Sequence, residues 1–187
     1  MPKLIGIAGK KGVGKDTAAN ILKEILLSNS YNHGFHPDEV HIIHFADELK
    51  LEVAIACQIT IEEINRNKAV FRPILQWWGT EFKRQYQNRP FYWIDKVQAR
   101  LESLMPDDVV IIPDVRFPNE WEFIVSYSGS KMIYIERRLA DTNDTHASEN
   151  SISPDTYIFD SKIYNDYSML QLNHTLQNFV DNQLFET

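Results

Sequence analysis

The stretch KLIGIAGKKGVGKDT at residues 3–17 decides the fold. Lys3 to Ala8 is a short apolar run of the kind that forms a strand buried on both faces. The residues from Gly9 to Lys15 then satisfy G-x-x-x-x-G-K, and an amphipathic stretch follows. Strand, glycine-rich loop and helix, in that order, are the setting in which this motif cradles phosphate. The glycines let consecutive N–H groups turn inward, the helix amino terminus adds roughly half a positive charge, and Lys15 reaches the bridging oxygens. The expected phosphate loop spans 9–17, with Gly9, Lys11, Gly12, Val13, Gly14, Lys15, Asp16 and Thr17 facing a nucleotide such as ATP. The bland alternative is a glycine-rich turn carrying a surface lysine.

Asp16 departs from the common pattern, because it stands where Ser or Thr normally ligates Mg²⁺, although Thr17 keeps a hydroxyl one residue on. A carboxylate there can hold Mg²⁺ directly or through water. The alternative is a first-turn acid favoured by the helix dipole.

Moving outward, Ala18, Ile21, Leu22, Ile25 and Leu26 recur at helical steps and mark one buried face. Ser28 to Asp38 reads as a loop, Val40 to Phe45 as a second strand, and Asp47 as lying near the start of a helix through Leu49, Val53 and Ile55. Thr60-Ile-Glu-Glu63 resembles a capping box. Arg72–Tyr86 and Tyr92–Met105 read as helices, Asp108–Ile112 as a third strand, Asn119–Val125 as a helix and Lys131–Glu136 as a fourth strand. Ser161–Asn165 gives a last short strand, and Leu170, Leu172, Leu176, Phe179, Val180 and Leu184 give a closing helix. This alternation predicts an α/β, three-layer fold with a mostly parallel central sheet and helices on both faces.

The chain has 187 residues, of which 43% are hydrophobic and 24% charged, which suits a single domain. Its net charge is −7, and the segment from Leu139 onward, with Lys162 as its only Lys or Arg, carries all of it. Sequence-independent binding to a nucleic-acid backbone is not expected from such a balance. No apolar run approaches the roughly 20 residues that span a bilayer. The single cysteine, Cys57, and an amino terminus that opens directly into a strand predict a reduced, cytoplasmic protein without disulfide or membrane anchor.

Asp114 and Arg116 follow an apolar strand, at the edge where open α/β sheets place ligands. Asp114 can orient magnesium water and Arg116 can face phosphate oxygens. Alternatively, Asp114 caps the following helix and Arg116 is its surface partner. Arg137 and Arg138 end another strand and precede Asp141–Pro154, a polar segment long enough to be a lid. Either arginine can be carried onto a transferring phosphoryl group, or the pair is simply solvated. His33, His36, His41, His44 and His174 show no metal-ligand spacing.

Together these pieces resemble the bacteriophage deoxynucleoside monophosphate kinases, of the P-loop nucleoside monophosphate kinase-like group. The resemblance runs from Lys3 to about Phe179. It is carried by GKKGVGKDT, FADELK at 45–50, RPILQWWGTEF at 72–82, YWIDKV at 92–97, IIPDVRFPNE at 111–120, NDTHASE at 143–149 and YND at 164–166. The ordered combination R-x-x-L-Q-x-x-G-T, Y-W, P-D-x-R and H-x-S-E is far narrower than a phosphate loop alone.

The resemblance implies one P-loop kinase domain over 1–187, with a helical substrate region at about 46–105 and a mobile lid at about 137–154. It implies transfer from Mg-ATP to a deoxynucleoside monophosphate, giving dNDP for phage DNA synthesis in the host cytoplasm. Lys15, Asp114, Arg116 and Arg137 would be catalytic, with Asp16 and Asp114 near Mg²⁺. Arg72, Gln76 and Thr80 would line the deoxynucleotide site with Asp47 and Lys50 at its edge, and Asn165 and Asp166 would lie near adenine or cap the final helix. Trp93 is a candidate for stacking on the base, and His146, in H-x-S-E, for positioning the lid or nucleotide. An ionised phosphate acceptor needs positioning and charge neutralisation rather than a strong base. Homodimer contacts would fall in the two departures from the family pattern, Leu51–Phe71 and His33–Asp38. The rivals are a P-loop kinase for another small phosphorylated acceptor and a non-catalytic nucleotide-binding regulator.

Overall fold

The computed structural model describes residues 1–28, 39–138 and 144–184. Most of the expected loop at Ser28–Asp38, with His33 and His36, and residues 139–143 of the expected lid lie outside the described residues.

Five strands form one sheet: β1 (Lys3–Ala8), β2 (Val40–Ile42), β3 (Val109–Val115), β4 (Lys131–Glu136) and β5 (Ser161–Tyr164). Their order is β2-β3-β1-β4-β5, and every pairing is parallel. The helices are α1 (Lys15–Ser28), α2 (Ala46–Cys57), α3 (Ile61–Arg66), α4 (Lys68–Gln76), α5 (Tyr92–Leu101), α6 (Pro118–Val125), α7 (Ala147–Asn150) and α8 (Met169–Phe179). No described helix is long and apolar enough to cross a membrane.

Side-chain alternation along the central strands separates two cores. Ile5, Ile7, Ile111, Ile133 and Ile135 pack on one face with Leu22 and Leu26 of α1 and Leu172 and Leu176 of α8. Leu4, Val110, Ile112, Met132 and Tyr134 pack on the other with Trp93 and Val97 of α5 and Ile124 of α6. Strands covered on both faces explain why β1 and β3 read as continuous apolar runs. A smaller cluster of Val53, Ala54 and Ile64 joins α2 to α3, with Phe71 and Leu75 of α4 against it.

Several elements differ from the sequence expectation. The second strand stops at Ile42 rather than Phe45, although Ile43 still donates to the Ile111 carbonyl oxygen at 3.0 Å. Beyond it the chain turns because the N–H groups of Phe45 and Ala46 bond to the Asp114 carboxylate instead of a strand. The third strand is longer than expected, running through Pro113 and Asp114 to Val115. The helix expected at Arg72–Tyr86 begins at Lys68 and widens into a π-helical segment, Trp77–Tyr86. Trp77 and Phe82, five residues apart, stack there with centroids at 5.3 Å, as a five-residue turn brings them into line. The helix expected to reach Met105 ends at Leu101. Ile55 and Leu170, apolar positions in the spacing of their helices, are 69% and 80% exposed. The final helix also ends in a π-helical turn, Val180–Leu184.

Candidate active site

The loop between β1 and α1 is held in a conformation that only glycine supplies easily. Gly9, Gly12 and Gly14 have φ of 144°, 77° and 95°. Packing adds a second constraint at two of them. A Cβ on Gly9 would lie 2.3 Å from the Ile135 carbonyl oxygen, and one on Gly14 would lie 2.5 Å from Asn165 Nδ2. That amide donates to the Val13 carbonyl oxygen at 2.8 Å, so the residue following β5 pins the loop.

Lys15 begins α1 and is buried. Its Nζ donates to the carbonyl oxygens of Gly9 at 2.6 Å and Lys10 at 2.9 Å, folding the ammonium over the loop. Burial pushes its pKa down to about 8, and the neighbouring Arg116 charge lowers it too, while Glu149, Asp114 and Asp16 pull the other way. Lys15 therefore sits inside a ring of opposing charges at the carboxyl end of the sheet.

Asp114, near the end of β3, accepts from Phe45 N–H at 3.0 Å and Ala46 N–H at 2.9 Å. It thus caps α2, not the helix that follows β3, whose first turn is satisfied by Glu120 instead. The Glu120 carboxylate accepts from Arg116 N–H at 2.8 Å and Phe117 N–H at 3.1 Å, and it pairs with Arg84. Burial raises the Glu120 carboxyl to about 7 against the pull of Arg84 and those N–H groups.

Asp16 is the more available carboxylate, with a side chain 67% exposed and Oδ1 at 3.4 Å from His44 Nε2. His44 lies between Asp16 and Asp47. Burial pulls its imidazole down, but hydrogen bonds to those two acids and the charge of Asp114 outweigh it and lift the pKa to about 10. For a hard cation, Asp16 and the adjacent Thr17 hydroxyl supply suitable oxygens. Both Asp114 oxygens are engaged by backbone N–H groups, which fits orienting a cation's water rather than direct ligation. Among the described residues no three His, Cys, Asp or Glu side chains converge as a protein-only cage, so phosphate and water oxygens would complete the shell.

Arg116 and Arg72 meet on one carboxylate, Glu149 of α7, which is itself buried. Oε1 of Glu149 accepts from Arg116 Nη1 and from Arg72 Nη2, the latter at 2.7 Å, and Oε2 accepts from the backbone N–H of Lys11 at 2.8 Å. Arg72 also grips Asp144 through Nε at 3.1 Å and Nη2 at 2.7 Å. Arg116 additionally donates to the Ser148 carbonyl oxygen at 3.2 Å. Two guanidinium groups are thereby brought to the mouth of the phosphate loop.

The remaining expected residues divide by environment. Gln76 lies against Asp144, whose carboxyl is held below the usual range chiefly by Arg72 and only slightly by Gln76, and the Gln76 Nε2 is buried without a well-formed hydrogen bond among the described residues. Thr80 is buried in the π-helical segment, and Lys50 is half-buried in α2. Asp47 accepts from His44 N–H at 3.1 Å and Arg100 Nη1 at 2.8 Å, so its carboxylate is committed to protein partners. Trp93 is 3% exposed and its indole N–H donates to the Gly79 carbonyl oxygen at 3.0 Å. That ring packs as core wall and offers no open face to a base. Asp166 accepts from Arg138 N–H at 2.7 Å, leaving Ser168, not Asn165 or Asp166, as the cap of α8. Arg137 is exposed at the end of β4.

Sequence reasoning did not assign Glu149, Glu120, Arg84, His44 or Glu81. His146 caps α7 and contacts Ser148 Oγ at 2.8 Å and Glu81 Oε1 at 2.9 Å, so the H-x-S-E motif carried the signal for Glu149. The others are joined to their partners only by the fold.

A profile of the deoxynucleotide monophosphate kinases matches residues 36–176. The chain belongs to this family. Its members are nucleotide phosphotransferases, and use of ATP follows from the P-loop kinase class. The matched range holds Arg72, Asp114, Arg116 and Glu149, while the phosphate loop precedes it. A protein of Acanthamoeba polyphaga mimivirus with a provisional deoxynucleotide monophosphate kinase name is 31% identical over 167 residues, covering 78% of this chain and 80% of the relative. Among solved structures, APS kinase of Mycobacterium tuberculosis, in complex with AMPPNP and APS, aligns with 12% identity and TM-score 0.46 over 100% of this chain and 98% of that one. Shikimate kinase from Aquifex aeolicus aligns with 12% identity and TM-score 0.45 over 97% and 98%. These two likenesses are loose, and the fold assignment stands on the strand order and the loop after β1.

Proposed function

We propose that this kinase transfers the γ-phosphoryl group of ATP to a deoxynucleoside monophosphate, giving dNDP and ADP, and that it supplies DNA synthesis in a phage-infected host cytoplasm. The observation that carries the reading is the convergence of Arg72, Arg116 and the Lys11 N–H on one anion position beside Lys15. A donor loop alone would bind nucleotide; two additional guanidinium groups opposite it provide for a second phosphate-bearing substrate.

In this reading the loop N–H groups and Lys15 hold the donor phosphates, and Arg72 holds the acceptor phosphate. An acceptor oxygen, already ionised, attacks the γ-phosphorus as the bond to the β-bridging oxygen breaks, and no protein base is required. Arg116 lies between the two substrates and stabilises charge that grows on the transferring group. Mg²⁺, beside Asp16 and Thr17 with Asp114 orienting its water, would neutralise donor charge. Gln76 and Thr80 line the acceptor side, and the buried Gln76 amide nitrogen suits an acceptor atom on the base. Lys50 and Asp47 sit at its rim, Asn165 and Asp166 lie near the donor base, and Arg137 enters from a lid at about 137–154. One domain spans 1–187, and exposed Trp77, Tyr86 and Phe91 favour a homodimer.

A coupled ADP-release assay with each deoxynucleoside monophosphate tests the reaction. Turnover with one or more is expected, and ADP release only with another phosphorylated acceptor would replace this reading.

A further inference from the structure

Glu149 occupies an unusual position for a carboxylate. It is 7% exposed, and one oxygen accepts from the loop N–H of Lys11 at 2.8 Å while the other accepts from Arg72 and Arg116. A phosphate-loop N–H together with two guanidinium groups is the donor set that a phosphoryl oxygen seeks. Phosphate oxygens entering the loop must take the Lys11 N–H from Glu149, and two anions cannot share it without strong repulsion.

We propose that Glu149 is a built-in competitor for nucleotide phosphates, a carboxylate that takes the place of a phosphoryl group at the loop and must swing out for the donor chain to bind. This rests on reading the loop and its arginines as the phosphoryl-transfer site. The surrounding contacts suit an exchange. Arg72 keeps its two bonds to Asp144 when Glu149 leaves, so it stays oriented, whereas Arg116 is released toward the incoming phosphates. α7 is only four residues long and turns on His146, which is held by Glu81. A polyphosphate, touching loop, lysine and arginines together, can displace the carboxylate; one inorganic phosphate offers fewer contacts in exchange. Glu149 thereby favours triphosphate donors over solitary phosphate.

The test uses inorganic tripolyphosphate, without metal, titrated calorimetrically into the full chain and into Glu149→Gln. Glutamine keeps the shape and removes the charge. The expected result is tripolyphosphate binding about tenfold tighter in the variant, equivalent to ~1.4 kcal/mol, with orthophosphate gaining at least as much because it too no longer has to displace a carboxylate. Equal or weaker tripolyphosphate binding by a folded variant overturns the proposal and makes Glu149 an aligner of Arg116. If the variant does not fold, amide exchange in the wild-type chain decides. Saturating tripolyphosphate should speed exchange across Ala147–Asn150 while slowing it in the loop at 9–15, and unchanged or slower exchange in α7 overturns the proposal. None of these readouts requires turnover, so a chain that fails to phosphorylate deoxynucleotides can still pass, and an active one can still fail.

Discussion

Replacing Asp114 by Asn changes one oxygen to an amide group and nothing else in size. In the native site each oxygen takes one backbone donor, Phe45 N–H at 3.0 Å and Ala46 N–H at 2.9 Å, and the residue is 8% exposed. Asparagine can keep one of these bonds; in either orientation its NH₂ faces the other N–H, which is left without a partner. Loss of a charge-assisted hydrogen bond is worth about 1.5–3 kcal/mol, and a stranded buried donor costs about 1–3 kcal/mol. The two overlap, so a net loss of about 3 kcal/mol is expected, corresponding to a fall of roughly 6–12 °C in Tm for a chain of this length. Urea unfolding should show a lower midpoint at unchanged m. A change below about 0.5 kcal/mol, the range of neutral surface substitutions, would refute Asp114 as the tie between β3 and α2.

Lys15→Ala and Arg116→Ala should each lower turnover by roughly 100-fold or more, as expected of groups that stabilise transition-state charge; wild-type kcat in either removes that residue from the mechanism. Lys15, with its pKa pushed down to about 8, loses its charge as pH rises through that value, so kcat/KM for ATP should fall on the alkaline side near pH 8. Lys15→Arg, which stays charged, should lower the overall rate and flatten that limb; an identical limb would assign it to another group. Gly9→Ala should cost about 1–3 kcal/mol of stability, since φ is 144° and the new Cβ would meet the Ile135 carbonyl oxygen at 2.3 Å. An unaltered unfolding midpoint would contradict that packing.

Much of this architecture was legible because its signals are local. The bounds of β1 and β4 match the apolar runs that define them, and the buried face of α1 follows its spacing. Thr60 does cap α3, its Oγ1 accepting from Glu63 N–H at 3.1 Å. The failures arise where distant residues set the backbone. β2 ends early because Asp114, far along the chain, claims the next N–H groups. The π-helical segment escaped notice because its apolar spacing passes for an ordinary helix until Trp77 and Phe82 are seen to stack. In the site, the phosphate loop and Arg116 were visible as motif and strand end. Glu149 was visible as the last member of the H-x-S-E motif, but its partner was not until the fold carried it across 138 residues to the Lys11 N–H. Trp93 illustrates the converse, since an aromatic in a substrate-like motif proved to be core.

The most direct test of the account is ADP release with Mg-ATP against dAMP, dGMP, dCMP, dTMP, dUMP and hydroxymethylated analogues, with ribonucleotides and an acceptor-free control beside them. The account predicts acceptor-dependent turnover with at least one deoxynucleotide and little ADP without acceptor. Silence across the deoxynucleotide panel from protein that still binds ATP would contradict it.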